Sequence, residues 1–452
     1  MRPLAIQELR VKYFSTVIYV LLMALPVEAF AWSNHSLGTA LALRDLPILK
    51  QAAPVSIEPL ENFLRSEAVG LQALLDEQES FAVAQFPGYP ARPEALRWLA
   101  GGSDDRQSAF LLALRVNPEI KLANFVQALP GYTRDGRAHL SGQQVMVFKE
   151  TSLWNEWRFL AVAENESLNP VQVVASAADE PDYGHDINLF SDNPGEVAGQ
   201  YNFGTQPFGD ARFSYSSQAP FHIGYYHDDA IIFAAGPFLT RTYPEWRAYQ
   251  YFGLARYAFE HGHPYWGYRF MGWGLHYIQD LTQPYHAKVL PGVDTSGLLW
   301  IAAKDAVGFG DDKKAAIERV ANRHTAIEKY QLGWLQQLLR DGESASPLLQ
   351  AYADTGADGS YPAFDSGYLR NVVSAQSFAR ADQLDGLLAQ ALATAPVAPG
   401  FSAGNQLATE PAPSVELSAL LIELIGNFGA HSRNAVRGTL LPISAAPAAE
   451  AP

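Results

Sequence analysis

Residues 272–290 read GWGLHYIQDLTQPYHAKVL, and this stretch decides the local fold. His276 and Asp280 are four residues apart, so a helix places both side chains on one face. Pro284 cannot continue a helix without losing a hydrogen bond, and it is expected to end or kink this one. We therefore expect the chain to turn there and to bring His286 back towards the first two residues.

A second pair of the same kind follows on another predicted helix. The stretch NRHTAIEKYQL places His324 and Glu328 four residues apart. Imidazole nitrogens and carboxylate oxygens are ligands that suit zinc. Either pair alone is also typical of a surface ion pair or of a core histidine with a hydrogen-bond partner. The five candidate ligands lie within about fifty residues. Their spacing agrees equally well with a metal site and with two structural pairs.

Beyond Trp32 the chain mostly carries apolar residues at helical spacing, which indicates an all-α, multi-helical fold. A short strand is predicted at residues 143–148, where the sequence reads QQVMVF. Helices are predicted over residues 59–79, 93–100, 107–116, 122–128, 171–178, 243–260, 265–280, 298–307, 313–339, 368–392 and 414–427.

Two other kinds of segment interrupt the helices. Residues 179–219 are rich in Gly, Asp, Asn, Pro and Ser, which predicts a long loop, and its aromatic residues favour an ordered one. Residues 395–413 are rich in Ala and Pro and are interpreted as a linker. A C-terminal helix is expected over 414–430, followed by a disordered tail over 431–452.

The composition of the 452 residues is that of a folded chain: 48% are hydrophobic and 17% are charged. The net charge of −15 disfavours long-range attraction to nucleic acid or to an anionic membrane. The chain has no cysteine. Any zinc must therefore be held by histidine, carboxylate or the chain terminus rather than by thiolate.

The first 31 residues are typical of a signal peptide. Basic residues precede an apolar run, and Ala29-Phe30-Ala31 supplies small residues for cleavage after Ala31. An uncleaved N-terminal anchor is the alternative. The most apolar later segment, residues 417–428, is interrupted by Glu423, so no other membrane span is predicted. We expect an exported protein, periplasmic or extracellular.

The motif HYIQDLTQPYHA, followed by the second pair, resembles the zinc-dependent phospholipase C and single-strand-specific nuclease superfamily. Its spacing and its Gln-Pro pair both agree with that superfamily. Members usually mature to an N-terminal Trp that binds one zinc, with a His soon after. Cleavage after Ala31 would expose Trp32, and His35 follows it in WSNH.

The resemblance also implies an Asp and then a His ahead of the central motif. Asp182 is the best match for the Asp, with Asp179 second. The His is either His222 or His227 in FHIGYYHDD, and the spacing from His227 to the motif fits without a gap. His185 is a weaker third candidate. The other histidines have no matching position and are interpreted as structural or surface residues: His139, His261, His263 and His431.

The resemblance implies one phospholipase C/nuclease-like catalytic domain over residues 32–394. It covers about a third of the chain directly, and two departures stand out. Residues 40–175 form a large helical insertion after the N-terminal ligands, and the interval between His286 and His324 is also longer than in the bacterial phospholipases. We therefore do not infer the substrate specificity of this chain from the resemblance.

Three zinc ions are what the resemblance implies. Asp280 would bridge two of them. One would also bind His276, the upstream His and Asp182, and the other would bind the Trp32 terminus and His35. The third would be held by His286, His324 and Glu328. Clustered divalent ions lower the pKa of a bound water, and Asp182 would act as general base or orient the hydroxide.

The expected function is phosphoric diester hydrolysis of the phospholipase C type, which Glu328 favours slightly because the nuclease branch more often has Asp there. A single-strand nuclease or nucleotidase is the alternative among enzymes, with nucleic acid as substrate only. A secreted helical binding protein with a vestigial metal site is the alternative from another class. The sequence identifies no protein partner and no substrate-binding residue.

Overall fold

The computed structural model describes residues 32, 34–128, 136–151, 154, 158–394 and 414–444. The predicted signal peptide, the predicted linker at 395–413 and residues 445–452 of the predicted tail lie outside the described residues. Within the described part no helix combines the length and the apolar character needed to cross a membrane.

Helices dominate the fold, as the sequence predicts. In the first half of the chain they are α1 (His35–Leu43), α2 (Pro47–Lys50), α3 (Leu60–Ser66), α4 (Ala68–Gln85), α5 (Arg106–Leu114), α6 (Gly142–Val145), α7 (Pro170–Ala178), α8 (Ala219–His222) and α9 (Ala230–Ala235). In the second half they are α10 (Pro244–Glu260), α11 (Pro264–Asp280), α12 (Thr295–Ala306), α13 (Asp311–Arg340), α14 (Pro347–Ala353), α15 (Ala375–Phe378), α16 (Ala381–Thr394) and α17 (Val415–Ser444), with a π-helix at Leu369–Ser374 before α15.

Five short strands form two small antiparallel sheets. They are β1 (Val55–Ser56), β2 (Phe125–Gln127), β3 (His139–Leu140), β4 (Phe159–Ala161) and β5 (Ser167–Leu168). One sheet pairs β1 with β5, and the other has the order β2-β4-β3. All five strands fall within residues 40–175, so the insertion predicted as mainly helical also contains two small sheets.

Three local predictions in this region are wrong. Residues 93–100 are predicted helical, but only the 3₁₀ turn Glu94–Leu96 lies there. Residues 122–128 are predicted helical, but β2 lies there because Phe125 pairs with Ala161 and packs edge-on against Phe159. Residues 143–148 are predicted as a strand, but α6 begins there instead. Its start is stabilised by a capping box between Ser141 and Gln144, which favours a helical turn.

The predicted helix at 59–79 is divided. Glu67 has a ψ of 13° and separates α3 from α4. Its carboxylate accepts a hydrogen bond from Tyr257 of α10 at 2.8 Å, so a tertiary contact holds the break. The helical spacing on either side is correct, but spacing alone does not report such a contact.

The C-terminal prediction needs a larger correction. The final helix continues to Ser444 rather than ending at 430, so the expected disorder of residues 431–444 is wrong. Arg433 is 1% exposed and binds the Asp358 carboxylate and the Tyr352 carbonyl oxygen. Ala435 and Val436 are buried in the core. These long-range contacts order a segment that is predicted from the sequence to be a tail.

Helix α11 lies at the centre of the fold and packs against α7, α10 and α17. Its residues from Tyr265 to Asp280 are all buried, as expected of a helix that is apolar or aromatic on every side. Gly272 permits the contact with α7, since a Cβ there would lie 2.6 Å from the Val174 carbonyl oxygen. The end of α7 is thereby held beside the second half of α11.

The long segment at 179–219 is ordered, as its aromatic residues predict. Two 3₁₀ turns, Glu180–Tyr183 and Ser214–Gln218, are its regular elements. Five of its aromatic side chains are buried, at 4% exposure or less, and Phe213 is exposed: the buried ones are Tyr183, Phe190, Tyr201, Phe203 and Phe208. The segment therefore packs as part of the core and connects α7 to α8.

Candidate metal centre

Helix α11 places His276 and Asp280 one turn apart on one face, as the sequence predicts. The His276 Nε2 atom lies 3.3 Å from Asp280 Oδ2, and both side chains are fully buried. The other ring nitrogen, Nδ1, lies 2.8 Å from the Ala178 carbonyl oxygen at the end of α7. A carbonyl only accepts, so Nδ1 donates to it, and when the ring is neutral its Nε2 lone pair faces Asp280.

The 3₁₀ turn after α7 separates the two candidate aspartates. Asp182 Oδ1 lies 3.7 Å from His222 Nδ1 and 3.8 Å from His276 Nε2, so Asp182 is at the cluster. Asp179, the second choice, accepts hydrogen bonds from the backbone N–H groups of His35 and Ser36. Its carboxylate therefore fixes the start of α1 rather than facing the cluster.

His35 reaches the opposite oxygen of Asp280. Its Nε2 lies 3.3 Å from Asp280 Oδ1 and 4.0 Å from Asp182 Oδ2. Its Nδ1 is 2.9 Å from the side-chain oxygen of Gln279, whose amide nitrogen donates to hydroxyl groups on α1 and α17. Trp32 lies beside the same end of α11, with its indole donating to Thr282 at 2.8 Å.

The structure resolves the choice between the two upstream histidines in favour of His222. His222 Nδ1 lies 2.9 Å from both His276 Nε2 and Asp280 Oδ2. His227, which the sequence spacing fits better, is half-buried with its Nε2 2.9 Å from the Arg370 carbonyl oxygen. It belongs to none of the His/Asp/Glu groups among the described residues, so the prediction of His227 as a ligand is corrected. The short helix α8 ends at His222 and turns it inwards, which spacing cannot reveal.

The second predicted pair, His324 and Glu328, lies beside His286. The 3₁₀ turn Pro284–His286 follows α11 and places His286 Nε2 3.1 Å from His324 Nε2. His324 Nε2 is 2.6 Å from Glu328 Oε1 on the next turn of α13. His286 Nδ1 lies 2.7 Å from the His222 carbonyl oxygen, so its Nε2 also carries a lone pair when the ring is neutral.

The remaining histidines lie elsewhere. His185, the weaker third candidate, is buried with its Nδ1 3.2 Å from the Tyr251 hydroxyl and its ring edge-on to Trp273. Burial lowers the pKa of His185 to about 3. His263 pairs with Glu58, and His431 lies between Tyr368 and Gln376. None of these belongs to the groups described above.

The cluster divides into three sites, which we name A, B and C. Site A comprises Asp182, His222, His276 and Oδ2 of Asp280. Site B comprises His35 and Oδ1 of Asp280, with Trp32 alongside. Site C comprises His286, His324 and Glu328. All the ligand side chains of the three sites are buried.

The residues fit a bound metal on two observations. The buried atoms His35 Nε2, Asp182 Oδ1 and Asp280 Oδ1 have no hydrogen-bond partner among the described residues. Such atoms are costly to leave unsatisfied, so they indicate an ion or another group that satisfies them. A tetrahedral zinc ion also separates its ligand atoms by about 3.3–3.4 Å. The site A distances given above, 2.9–3.8 Å, bracket that value.

Mutual charge perturbs the ionisation of site A. Burial raises the pKa of Asp182 to about 7, although His222 opposes the change. Burial alone would also raise the pKa of Asp280, but His276 and His222 outweigh it and hold that pKa well below its usual range. Burial lowers the pKa of His222, whereas Asp280 and Asp186 raise it to about 10. A metal ion at Nδ1 would replace the proton that these carboxylates favour.

The carboxylate of site C, Glu328, is buried beside His324. Burial raises the pKa of Glu328 well above its usual range, and the Gln283 amide opposes that change only in part. Burial also lowers the pKa of His286 to about 4. The neutral imidazole that burial favours is the form that binds a metal ion.

Sequence reasoning missed the residues that orient the ligands. Asp186 Oδ2 lies 3.4 Å from His222 Nε2 and accepts a hydrogen bond from Tyr277 at 2.5 Å. Its other oxygen accepts from Arg247 at 2.6 and 2.8 Å. The Arg247 charge holds the pKa of Asp186 low despite full burial. Carboxylates commonly orient metal-binding histidines in this way, but no spacing in the sequence signals Asp186.

Comparisons with known proteins give no assignment. No protein-family model matches the chain, and searches of curated proteins and of solved structures also found no match. The function must therefore be inferred from the residues and geometry of this chain.

Proposed function

We propose that this chain is a zinc-dependent phosphodiesterase of the phospholipase C type. One observation supports it most: the two oxygens of Asp280 face different histidines, Oδ1 towards His35 and Oδ2 towards His222 and His276. A structural ion pair needs no such division. A carboxylate that bridges two cations does, and paired cations are a common device for phosphodiester cleavage.

The ligand chemistry supports zinc in particular. The three sites offer imidazole nitrogens and carboxylate oxygens, and the chain contains no cysteine to add thiolates. In the proposed enzyme Asp280 would be a ligand shared by sites A and B, and the Trp32 terminus would complete site B. His286, His324 and Glu328 hold a third ion at site C.

The bound ions would supply a hydroxide near neutral pH and would neutralise charge on the phosphodiester. The protein side chains orient the reacting water and the metal ligands, and they exclude bulk water. Asp182 Oδ1 has no hydrogen-bond partner among the described residues, so it is placed to accept a proton from a water molecule at site A or to orient that water. Asp186 and Arg247 hold the His222 ring, and the Ala178 carbonyl holds His276.

The phospholipase C type is proposed over the nuclease type because Glu328, rather than Asp, is the last ligand in the resemblance. A substrate panel tests the choice: phosphatidylcholine, single-stranded DNA and a soluble chromogenic phosphodiester, each with metal-loaded and chelator-treated protein. We expect metal-dependent release of phosphocholine and of the chromophore. Cleavage of DNA alone would support the nuclease, and failure to bind zinc would support a binding protein with a vestigial site.

A further inference from the structure

Helix α12 and the turn after it expose an unusual amount of apolar surface. Trp300 is 63% exposed, Val307 71% and Phe309 68%. Of the three exposed Phe or Trp residues in the described chain, two lie within this ten-residue stretch. We call residues 295–310 the apolar arm. Scattered exposed apolar residues need no explanation, whereas a concentration of this kind indicates an interaction surface.

Trp300 and Val307 share one side of the arm. Trp300, Lys304 and Val307 are spaced at i, i+4 and i+7, which places them along one helix face. The Lys304 ammonium lies 5.4 Å from the centre of the Trp300 ring. Gly308 has a φ of 92°, and the Phe309 N–H then bonds to the Lys304 carbonyl oxygen at 2.9 Å. This turn fixes Phe309 at the end of the same helix.

The inner side of the arm is already occupied. Leu298, Leu299 and Ala302 pack on a cluster that includes Ile232 and Leu290. Ala302 is the one buried residue of α12 among those whose side chains are described. The helix therefore lies on the protein surface with one apolar side packed and a second apolar side facing solvent.

The charge around the arm differs from that of the whole chain. Residues 287–314 contain four lysines and four aspartates, so their net charge is zero, against −15 for the chain. The Lys304 and Lys313 ammonium groups are neutralised by Asp312 and Asp305. A neutral surface within an acidic protein has no attraction for anionic lipid. It is compatible with a zwitterionic one, where Trp and the aliphatic part of Lys lie at the boundary of headgroups and acyl chains.

We infer that the apolar arm docks the protein on a zwitterionic phospholipid surface, an inference that rests on the proposed function for its substrate. The arm is continuous with two site C elements, since it lies between His286 and α13, which carries His324. Docking there would hold the metal centre at the surface that contains the substrate.

The arm stands beside the centre rather than over it. Helix α13 rises about 20 Å between Asp311 and His324 at 1.5 Å per residue. None of the exposed arm residues belongs to sites A, B or C. Loss of docking should therefore change the apparent KM on vesicles and leave hydrolysis of a soluble diester unaltered.

The test is vesicle co-sedimentation of the metal-loaded mature chain with phosphatidylcholine, comparing the wild type with the double variant Trp300→Ser/Phe309→Ser. The matched control is Val69→Ser/Val83→Ser, which removes exposed apolar residues, 76% and 53% exposed, from α4. We expect the arm variant to bind vesicles at least about tenfold more weakly, with wild-type binding in the control. Metal content, circular dichroism and turnover of the soluble diester should match the wild type.

Equal vesicle binding by wild type and arm variant would overturn the inference, as would equal losses in the arm and control variants. A wild-type dimer that the arm variant dissociates would instead assign the surface to a second copy, and would also overturn it. The proposed function fails separately: vesicle binding without any hydrolysis refutes the phospholipase activity but not the docking. Hydrolysis of the soluble diester without vesicle binding would refute the docking but not the phosphodiesterase activity.

Discussion

Asp280 and Glu328 offer a sharp comparison, because each is the carboxylate of a histidine-rich site but only one of them serves two sites. Asp280→Asn and Glu328→Gln each remove one buried carboxylate charge and keep nearly the same volume. In Asp280→Asn, site B retains one side-chain ligand, His35, and site A retains three. In Glu328→Gln, sites A and B are untouched, and site C retains two histidines.

The expected metal contents follow from that arithmetic. Against about three zinc ions in the wild type, Glu328→Gln should retain about two at wild-type affinity, whereas Asp280→Asn should lose the site B ion and bind the site A ion more weakly, so that only site C is unchanged. Turnover of a soluble phosphodiester should fall further in Asp280→Asn, by more than about 100-fold, the upper end for residues that act only through a ligand. Elemental analysis after dialysis and initial rates measure both quantities.

Asp45→Asn is the control, since Asp45 is exposed and pairs with Lys50 on the surface. It should match the wild type in metal content and rate. An Asp280→Asn variant that loses one ion while its other two bind with wild-type affinity would refute the bridging role of Asp280. Full metal content and normal turnover in Asp280→Asn would remove the residue from the centre.

Three further predictions concern Asp186, Trp32 and His431. Asp186→Asn should weaken zinc binding by about 10- to 100-fold in competition with a chelator, because His222 loses its orienting carboxylate. An extension left before Trp32 should lower the metal content by about one ion and spare site C. Burial lowers the pKa of His431 to about 3, against about 6.5 when unfolded, so only the unfolded chain gains a proton in mild acid. Between pH 7 and pH 5 the wild type should therefore lose about 2 kcal/mol more stability than His431→Gln in urea unfolding.

Each of these has a contrary result. Unchanged chelator competition in Asp186→Asn would make the contact with His222 incidental. Equal metal content and activity with and without the extension would remove Trp32 from site B. The same pH slope in wild type and His431→Gln would show that the histidine does not change protonation on unfolding in this range.

The sequence predicts those parts of the centre that depend on local spacing. His276 with Asp280, and His324 with Glu328, are correct as helical pairs because four residues make about one turn. The turn at Pro284 is also correct, since proline has no N–H to continue the helix. These local rules need no knowledge of the rest of the chain.

The features that the sequence could not predict depend on contacts between distant segments. His222 rather than His227 faces the centre because α8 ends there and the next residues turn away. Asp186 is paired with Arg247, 61 residues later, and no periodicity signals such a pair. The C-terminal half of α17 is ordered because Arg433 is held by Asp358 and Tyr352, and these long-range contacts are not predicted from the sequence.

The central claim is that three zinc ions occupy sites A, B and C. Anomalous diffraction from crystals of the metal-loaded mature protein, recorded above and below the zinc absorption edge, tests it directly. We predict three zinc peaks, one at each site. They lie among Asp182, His222 and His276 at site A, between His35 and Asp280 at site B, and among His286, His324 and Glu328 at site C. A map without peaks at these positions, or with zinc bound only at surface residues, would contradict it.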